Sequence, residues 1–408
     1  MNLSFFIARR YLVKQKGTFS SFIIKLAIVA TALSVAVMIL AMAVVTGFNY
    51  AISDKLFSFM GHVQVIPYNE TRSSSLTFSD PVYLDPALVA GIRKVPHVVA
   101  VSPFAVRPVI IQARGQLEGL QLKGVNKEYR FRTGITSAGA PIDYSDTDYA
   151  RQVILSRTTA ERLNVNAGDT VQLNFLDGDI PRIRRVRVSG TYHSGMEEMD
   201  KFYGICDIRL LQRINNWPAD SINGYQVDLD DPAYADTVSA FIHYNLIAAP
   251  LASYTTTENY SFIFDWLKLQ GLNGTILLVI MAIVAIINMG AVLVILIVDR
   301  ATMIGLLKAL GMPFETTRNI FLCISALIGG AGILLGNVAA LIICWLQWHF
   351  GFLRLPESSY YMRYVPLKIV WWQVAVIDIV TLVLCIFCMW LPTLYIRRVQ
   401  PAKVLQFK

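Results

Sequence analysis

The chain has 408 residues, 55% hydrophobic and 16% charged, with a mean hydropathy of +0.49, a balance that excludes an ordinary soluble protein. Its formal charge of +8 is no nucleic-acid signal. Residues 49–270 hold 21 basic against 24 acidic side chains, which leaves 15 of the 36 basic and 4 of the 28 acidic residues beside the apolar runs, the pattern that encodes membrane orientation.

Residues 1–20 mix Leu3, Phe5, Phe6, Ile7 and Leu12 with Arg9, Arg10, Lys14 and Lys16. This reads either as an amphipathic helix on the cytoplasmic face or as a basic flank for the span that follows. Residues 21–48 supply more than the roughly 20 apolar residues that a bilayer core requires. Ala41-Met42-Ala43 imitates a signal-peptidase site, but the apolar run continues past it, so an uncleaved first span is expected.

No run within 49–270 is long enough to cross a bilayer. Short alternating pieces stand there instead, at 62–67, 98–101, 109–112, 153–155, 170–175, 184–189 and 225–229. Helical patterns intervene at 86–94, 156–163 and 231–244, which predicts an α+β domain inserted between the first two spans. Asp177-Gly178 between two alternating pieces predicts a hairpin.

Three more spans follow, at 271–298, 319–350 and 369–392, joined by a stretch at 299–318 and a loop at 351–368. Gly332 and Gly336 in the third span form a small-xxx-small pair that permits close helix approach. Basic termini without acidic residues place both ends, including the tail 393–408, in the cytoplasm. With four spans the α+β domain then lies outside. Arg354, Arg363 and Lys368 in the outer loop run against this orientation, and the two termini outvote them.

The stretch Asp299–Glu315 is short, amphipathic and punctuated by charge. Gly305 and Gly311 bracket it and Pro313 ends any helix within it. So short a helix is marginal alone in water, so its apolar face needs a partner.

Catalytic and metal residues are expected to be none. The sequence contains no G-x-x-x-x-G-K-[ST], H-E-x-x-H or G-x-S-x-G, and its histidines have no i,i+4 pairing. Cys323, Cys344, Cys385 and Cys388 sit in apolar runs and Cys206 stands alone, so no disulfide framework is read. Cys385 and Cys388 spell CxxC, yet without a second ligand pair they read as two small apolar residues. Asp378 is an acid within the last span, expected to be partnered or protonated, or else to serve as a proton or substrate contact.

Several segments, in order, carry a family resemblance. These are Ser21-Phe22-Ile23, Thr46-Gly47-Phe48, Gly61-His62-Val63-Gln64-Val65, Leu122-Lys123-Gly124-Val125 and Leu163-Asn164-Val165-Asn166-Ala167-Gly168-Asp169. Val188-Ser189-Gly190-Thr191-Tyr192, Glu198-Met199-Asp200, Gly305–Gly311, Leu391-Pro392 and Pro401-Ala402 continue it. With one span, a large domain and three spans, the chain resembles the MacB/FtsX-type permeases of ABC transporters, most closely the LolC/LolE lipoprotein-releasing permeases. Thr46 departs from the family's Asn.

That resemblance implies a bacterial inner-membrane permease without a cofactor of its own. ATP and magnesium would sit on two copies of a separate LolD-like ATPase. The other partners would be a second permease copy or paralogue, lipoprotein substrates, membrane lipids and a LolA-like periplasmic chaperone. Gly305, Leu306, Leu307, Lys308, Ala309, Leu310, Gly311, Met312 and Glu315 would form the ATPase-coupling helix, with Leu306, Leu307, Leu310 and Met312 entering a groove on that partner. Val45, Phe48, Phe262, Phe264 and Trp266 would line the lipoprotein cavity, unless they are ordinary interfacial aromatics. Phe175, Leu176, Asp177, Gly178, Asp179, Ile180 and Pro181 would be the carrier-docking hairpin, shorter here than the hook of LolC. The outer domain would divide into a porter lobe, 49–150 with 214–265, and an inserted subdomain, 151–213. A MacB-like efflux permease and an FtsX-like mechanical transmitter to cell-wall hydrolases are the alternatives of similar topology.

Overall fold

A computed structural model describes residues 19–68, 81–129, 135–175, 182–299, 306, 311–356, 362 and 364–396. The basic N-terminal segment up to residue 18 and the tail from residue 397 lie outside the described residues. The chain forms two compact units, one of Met1–Asn49, Leu267–Arg354 and Tyr364–Lys408, the other of Tyr50–Trp266 and Leu355–Arg363.

Four helices, Phe19–Met60, Ser261–Asp299, Phe314–Phe350 and Trp371–Ile396, each hold a segment long and apolar enough to cross a membrane. The first runs on to Met60, past its expected end at 48. Ile52, Leu56 and Phe59 recur there at helical spacing and are fully buried, although Asp54 and Lys55 between them end the apolar run. The second helix likewise starts at Ser261, ahead of 271, with Ile263 and Leu267 on its buried side. The third opens directly after Pro313, whose fixed φ suits a helix start, and closes at Gly351 in the left-handed conformation.

Within the membrane unit, Ile23, Ile24 and Ala27 of the first helix cluster with Met289 and Val292 of the second. Ile320, Phe321, Ile324 and Ile328 of the third and Cys385 of the fourth complete that core. A second layer joins Val35, Ala36, Met38 and Ile39 to Ala340 and Ile377.

The other unit is built on strands β1 (Val63–Pro67), β2 (Val82–Tyr83), β3 (Val98–Ala113), β4 (Gln116–Val125), β5 (Thr136–Gly139) and β6 (Gln152–Ser156). They are followed by β7 (Thr170–Phe175), β8 (Arg182–His193), β9 (Tyr203–Asp207), β10 (Ser221–Ile222), β11 (Gly224–Leu229) and β12 (Leu251–Thr255). Ten of them form one sheet in the order β12-β1-β11-β3-β4-β9-β6-β8-β5, with β7 bridging β3 and β8. β2 and β10 pair separately. The pairing of β4 with β9 carries the sheet across the stretches that the resemblance divides into two lobes. A core of Val63, Val65, Ile111, Leu122, Leu155, Leu173, Phe175, Val188, Tyr225 and Val227 fills one face, closed by helices such as Ile208–Ile214 and Ala235–Asn245.

The pieces expected at 98–101 and 109–112 are one strand. β3 holds β4 along Phe104–Ala113 on one edge and, on the other, β11 up to Phe104 and β7 at Ile110–Gln112. Pro103 falls where only β11 pairs and Pro108 where only β4 does, so neither missing N–H breaks a ladder on both sides. Asn223 occupies the gap, its side-chain oxygen accepting from Val106 N–H at 2.8 Å.

Candidate functional site

Of the coupling stretch, Gly305, Leu307, Lys308, Ala309 and Leu310 lie outside the described residues. Leu306 is exposed. Gly311 adopts φ +81°, a left-handed turn with nothing within 4 Å of a Cβ among the described residues. That turn sends Met312 back onto the bundle, where it is half-buried against the cluster of Ile23, Ile320 and Phe321. Met312 thus rests part of its side chain on its own bundle and leaves part accessible. Glu315 is exposed in the first turn of the third helix, where a carboxylate favours the helix dipole.

Val45 packs on Gly274 of the second helix, where a Cβ would come within 2.8 Å of its Cγ2. Phe48 is half-buried in the same unit. Phe262, Phe264 and Trp266 belong to the other unit. Phe262 is 82% exposed, Trp266 is half-buried, and Phe264 stacks on Phe57, which stacks in turn on His62. In the hairpin, β7 and β8 pair down to Phe175 opposite Arg182. Phe175 is fully buried in the sheet core, so it fixes the hairpin's base and is not offered to a carrier. Leu176, Asp177, Gly178, Asp179, Ile180 and Pro181 lie outside the described residues.

Asp378 has a partner. Asn337 Nδ2 on the third helix donates to both carboxylate oxygens, at 2.9 and 3.0 Å. The two cysteines of the CxxC spelling pack separately, Cys385 against Gly329 and Cys388 against Gly290. Gly332 and Gly336 meet the first helix at Thr31 and at the Ala32 carbonyl, the close approach that their spacing permits.

One feature of the membrane unit has no sequence signature beyond Thr46-Gly47-Phe48. A Cβ on Gly47 would come within 2.1 Å of the Pro366 carbonyl oxygen. Around it Lys368 N–H donates to Ala43 O at 3.1 Å, and Thr46 Oγ1 donates to Gln373 Oε1 at 3.3 Å. The loop before the fourth helix is thereby strapped onto the first. Motif matching marks the glycine, but only a fold can supply Pro366, which lies far away in the chain.

Residues 26–243, more than half of the chain, match the family described as the MacB-like periplasmic core domain, and residues 275–401 match the FtsX-like permease C-terminal family. The lipoprotein-releasing system transmembrane protein LolC of Xylella fastidiosa is 25% identical over 429 residues, covering 100% of this chain and 99% of that protein. LolE of Haemophilus influenzae is 22% identical over 422 residues, covering 99% of each. Among solved structures, the periplasmic region of MacB from Actinobacillus actinomycetemcomitans aligns with a TM-score of 0.35 and 15% identity, over 49% of this chain and 91% of that one. Four spanning helices with an α+β domain between the first and second define a multi-pass membrane permease. The chain belongs to the MacB/FtsX-like permeases, and its whole-length similarity is of the LolC/LolE type.

Proposed function

We propose that this chain is the permease subunit of an ABC transporter that releases lipoproteins from the inner membrane, driven by a separate ATPase. The observation that carries this reading is similarity along the whole chain, through both the α+β domain and the membrane unit, to proteins named as lipoprotein-releasing transmembrane proteins. Burying an acyl chain contributes about 0.8 kcal/mol per CH₂, so extracting a multiply acylated protein is steeply uphill and requires an energy source. Leu306, Leu307 and Leu310 take the ATPase's movement, two ATPase copies serve a pair of permeases, and the released lipoprotein passes to a periplasmic carrier. Both termini are cytoplasmic and the α+β domain is periplasmic. Val45, Phe48, Phe262, Phe264 and Trp266 are the residues proposed to meet the acyl chains.

The test is depletion of the protein in its host, followed by fractionation of inner and outer membranes. Lipoproteins retained in the inner membrane are the expected result. Normal sorting with altered drug efflux, or with chained cells, overturns it in favour of a MacB-like or FtsX-like role.

A further inference from the structure

A helix ends with four carbonyls that lack intrahelical partners. At the end of helix Phe19–Met60, Gly61 N–H donates to Phe57 O at 2.8 Å and Gln64 Nε2 to Met60 O at 3.1 Å. The Phe59 carbonyl receives a different donor, the Nζ of Lys123. Lys123 lies on β4, on the sheet face opposite Leu122, and is 3% exposed. Its ammonium also donates to Gln226 Oε1 on β11 at 2.7 Å. It stands 5.1, 5.2 and 5.8 Å from the rings of Phe59, Tyr129 and Phe104. Phe59 itself packs edge-on against Tyr203 and is tilted on Tyr192. One buried cation thus joins three elements: the helix end, β4 and β11.

A cation at a helix C-terminus is favourable, and so is one caged by aromatic rings. Yet a buried charge costs more than a well-packed apolar side chain of the same volume, so stability alone does not account for a lysine here. Its N–H donors, two of them even in the neutral amine, fix what an apolar residue cannot: the position of a helix-end carbonyl relative to two strands.

We propose that Lys123 is a positioning residue that locks the last turn of the first membrane-spanning helix to the sheet, so that movement of the helix is transmitted to the domain during lipoprotein release. This rests on the function proposed above.

The test uses the full permease with its co-purifying ATPase in proteoliposomes, a tri-acylated model lipoprotein as probe, and Lys123→Met. The expected result is ATPase turnover within two-fold of wild type, lipoprotein released per ATP down at least ten-fold, and amide exchange at residues 57–61 faster by at least ten-fold. Release and exchange like wild type overturn the proposal, as does a loss of turnover equal to the loss of release. Where Lys123→Met does not fold, Gln226→Met carries the same readouts, since it removes the anchor on the β11 side, together with the Gln226 bond to Asp228, and keeps Lys123 itself. A wild type that hydrolyses ATP without releasing lipoprotein sinks the transport reading instead, while the exchange comparison still decides the lock.

Discussion

Gly332 lies so close to Thr31 that a Cβ would come within 2.7 Å of the Thr31 Cβ. One turn further, a Cβ on Gly336 would meet the Ala32 carbonyl at 2.7 Å. Backbone and a β-branched side chain cannot give way as a flexible side chain can. The first and third spanning helices therefore pack at a distance that only glycine allows.

Gly332→Ala is expected to lower the thermal midpoint of the detergent-solubilised protein, with a cost of about 1–3 kcal/mol from overpacking. Gly330→Ala is the control, because nothing among the described residues lies within 4 Å of a Cβ there, and in a helix it should be neutral or stabilising. Equal midpoints for the two variants would show that the crossing is looser than described.

The same glycines show how much was legible in the sequence. Spacing alone indicated that Gly332 and Gly336 allow close approach, though not that Thr31 and Ala32 are what approach them. Spans and short strands are local properties, and the fold keeps them. β3 was legible only in pieces, because Pro103 and Pro108 break its pattern and the neighbour exchange that tolerates them is non-local. The helix beyond residue 48 was missed because Asp54 and Lys55 make it too polar for a bilayer, although it is apolar enough for a domain core. Lys123 was visible only as a letter in a motif, since nothing local places its ammonium at a helix end 64 residues away.

Lys123 gives a pH dependence with a definite sign. Burial lowers its pKa to about 7, from the ordinary lysine value of 10.5, with Asp228 opposing the shift. Between those values the unfolded chain binds a proton that the folded one does not, so this group makes stability rise with pH through that window, and its full cost stands below about pH 7. The groups facing it are Asp228 and Tyr129, with His62 4.0 Å from Asp228. Burial pushes the Tyr129 hydroxyl far above its ordinary value. Thermal midpoints of wild type and Lys123→Met should therefore move apart in favour of wild type from pH 7 to pH 9.5. A constant difference would mean that the ammonium titrates normally.

Asn337 and Asp378 lend themselves to a double-mutant cycle. Asn337→Leu leaves a membrane-embedded carboxyl without its donor and should cost about 1–3 kcal/mol. Asp378→Leu leaves the Asn337 amide its bond to the Ile333 carbonyl and should cost less. In the double variant the losses should not add, with a coupling energy of about 0.6 kcal/mol and at most about 1.7, the average and maximum found for hydrogen bonds between membrane helices. Additive losses would show that the pair does not interact in the lipid-embedded protein.

The coupling stretch separates two outcomes that the sequence alone ran together. Leu306 is exposed, whereas Met312, next to the turn at Gly311, is half-buried against the bundle's hydrophobic cluster. Leu306→Asp, at an exposed position, should leave the permease's thermal midpoint within the small range usual for surface changes, about 0.5 kcal/mol, and Leu307→Asp and Leu310→Asp are tested beside it for ATPase binding. Co-purification of the ATPase should be lost. Met312→Asp should do the reverse first: a carboxylate forced against Ile23, Ile320 and Phe321 destabilises the membrane unit itself, so the midpoint falls whether or not ATPase is present. ATPase retained by all three leucine variants would remove the stretch from the interface. A stable Met312→Asp protein that loses only its ATPase would return Met312 to the contact face.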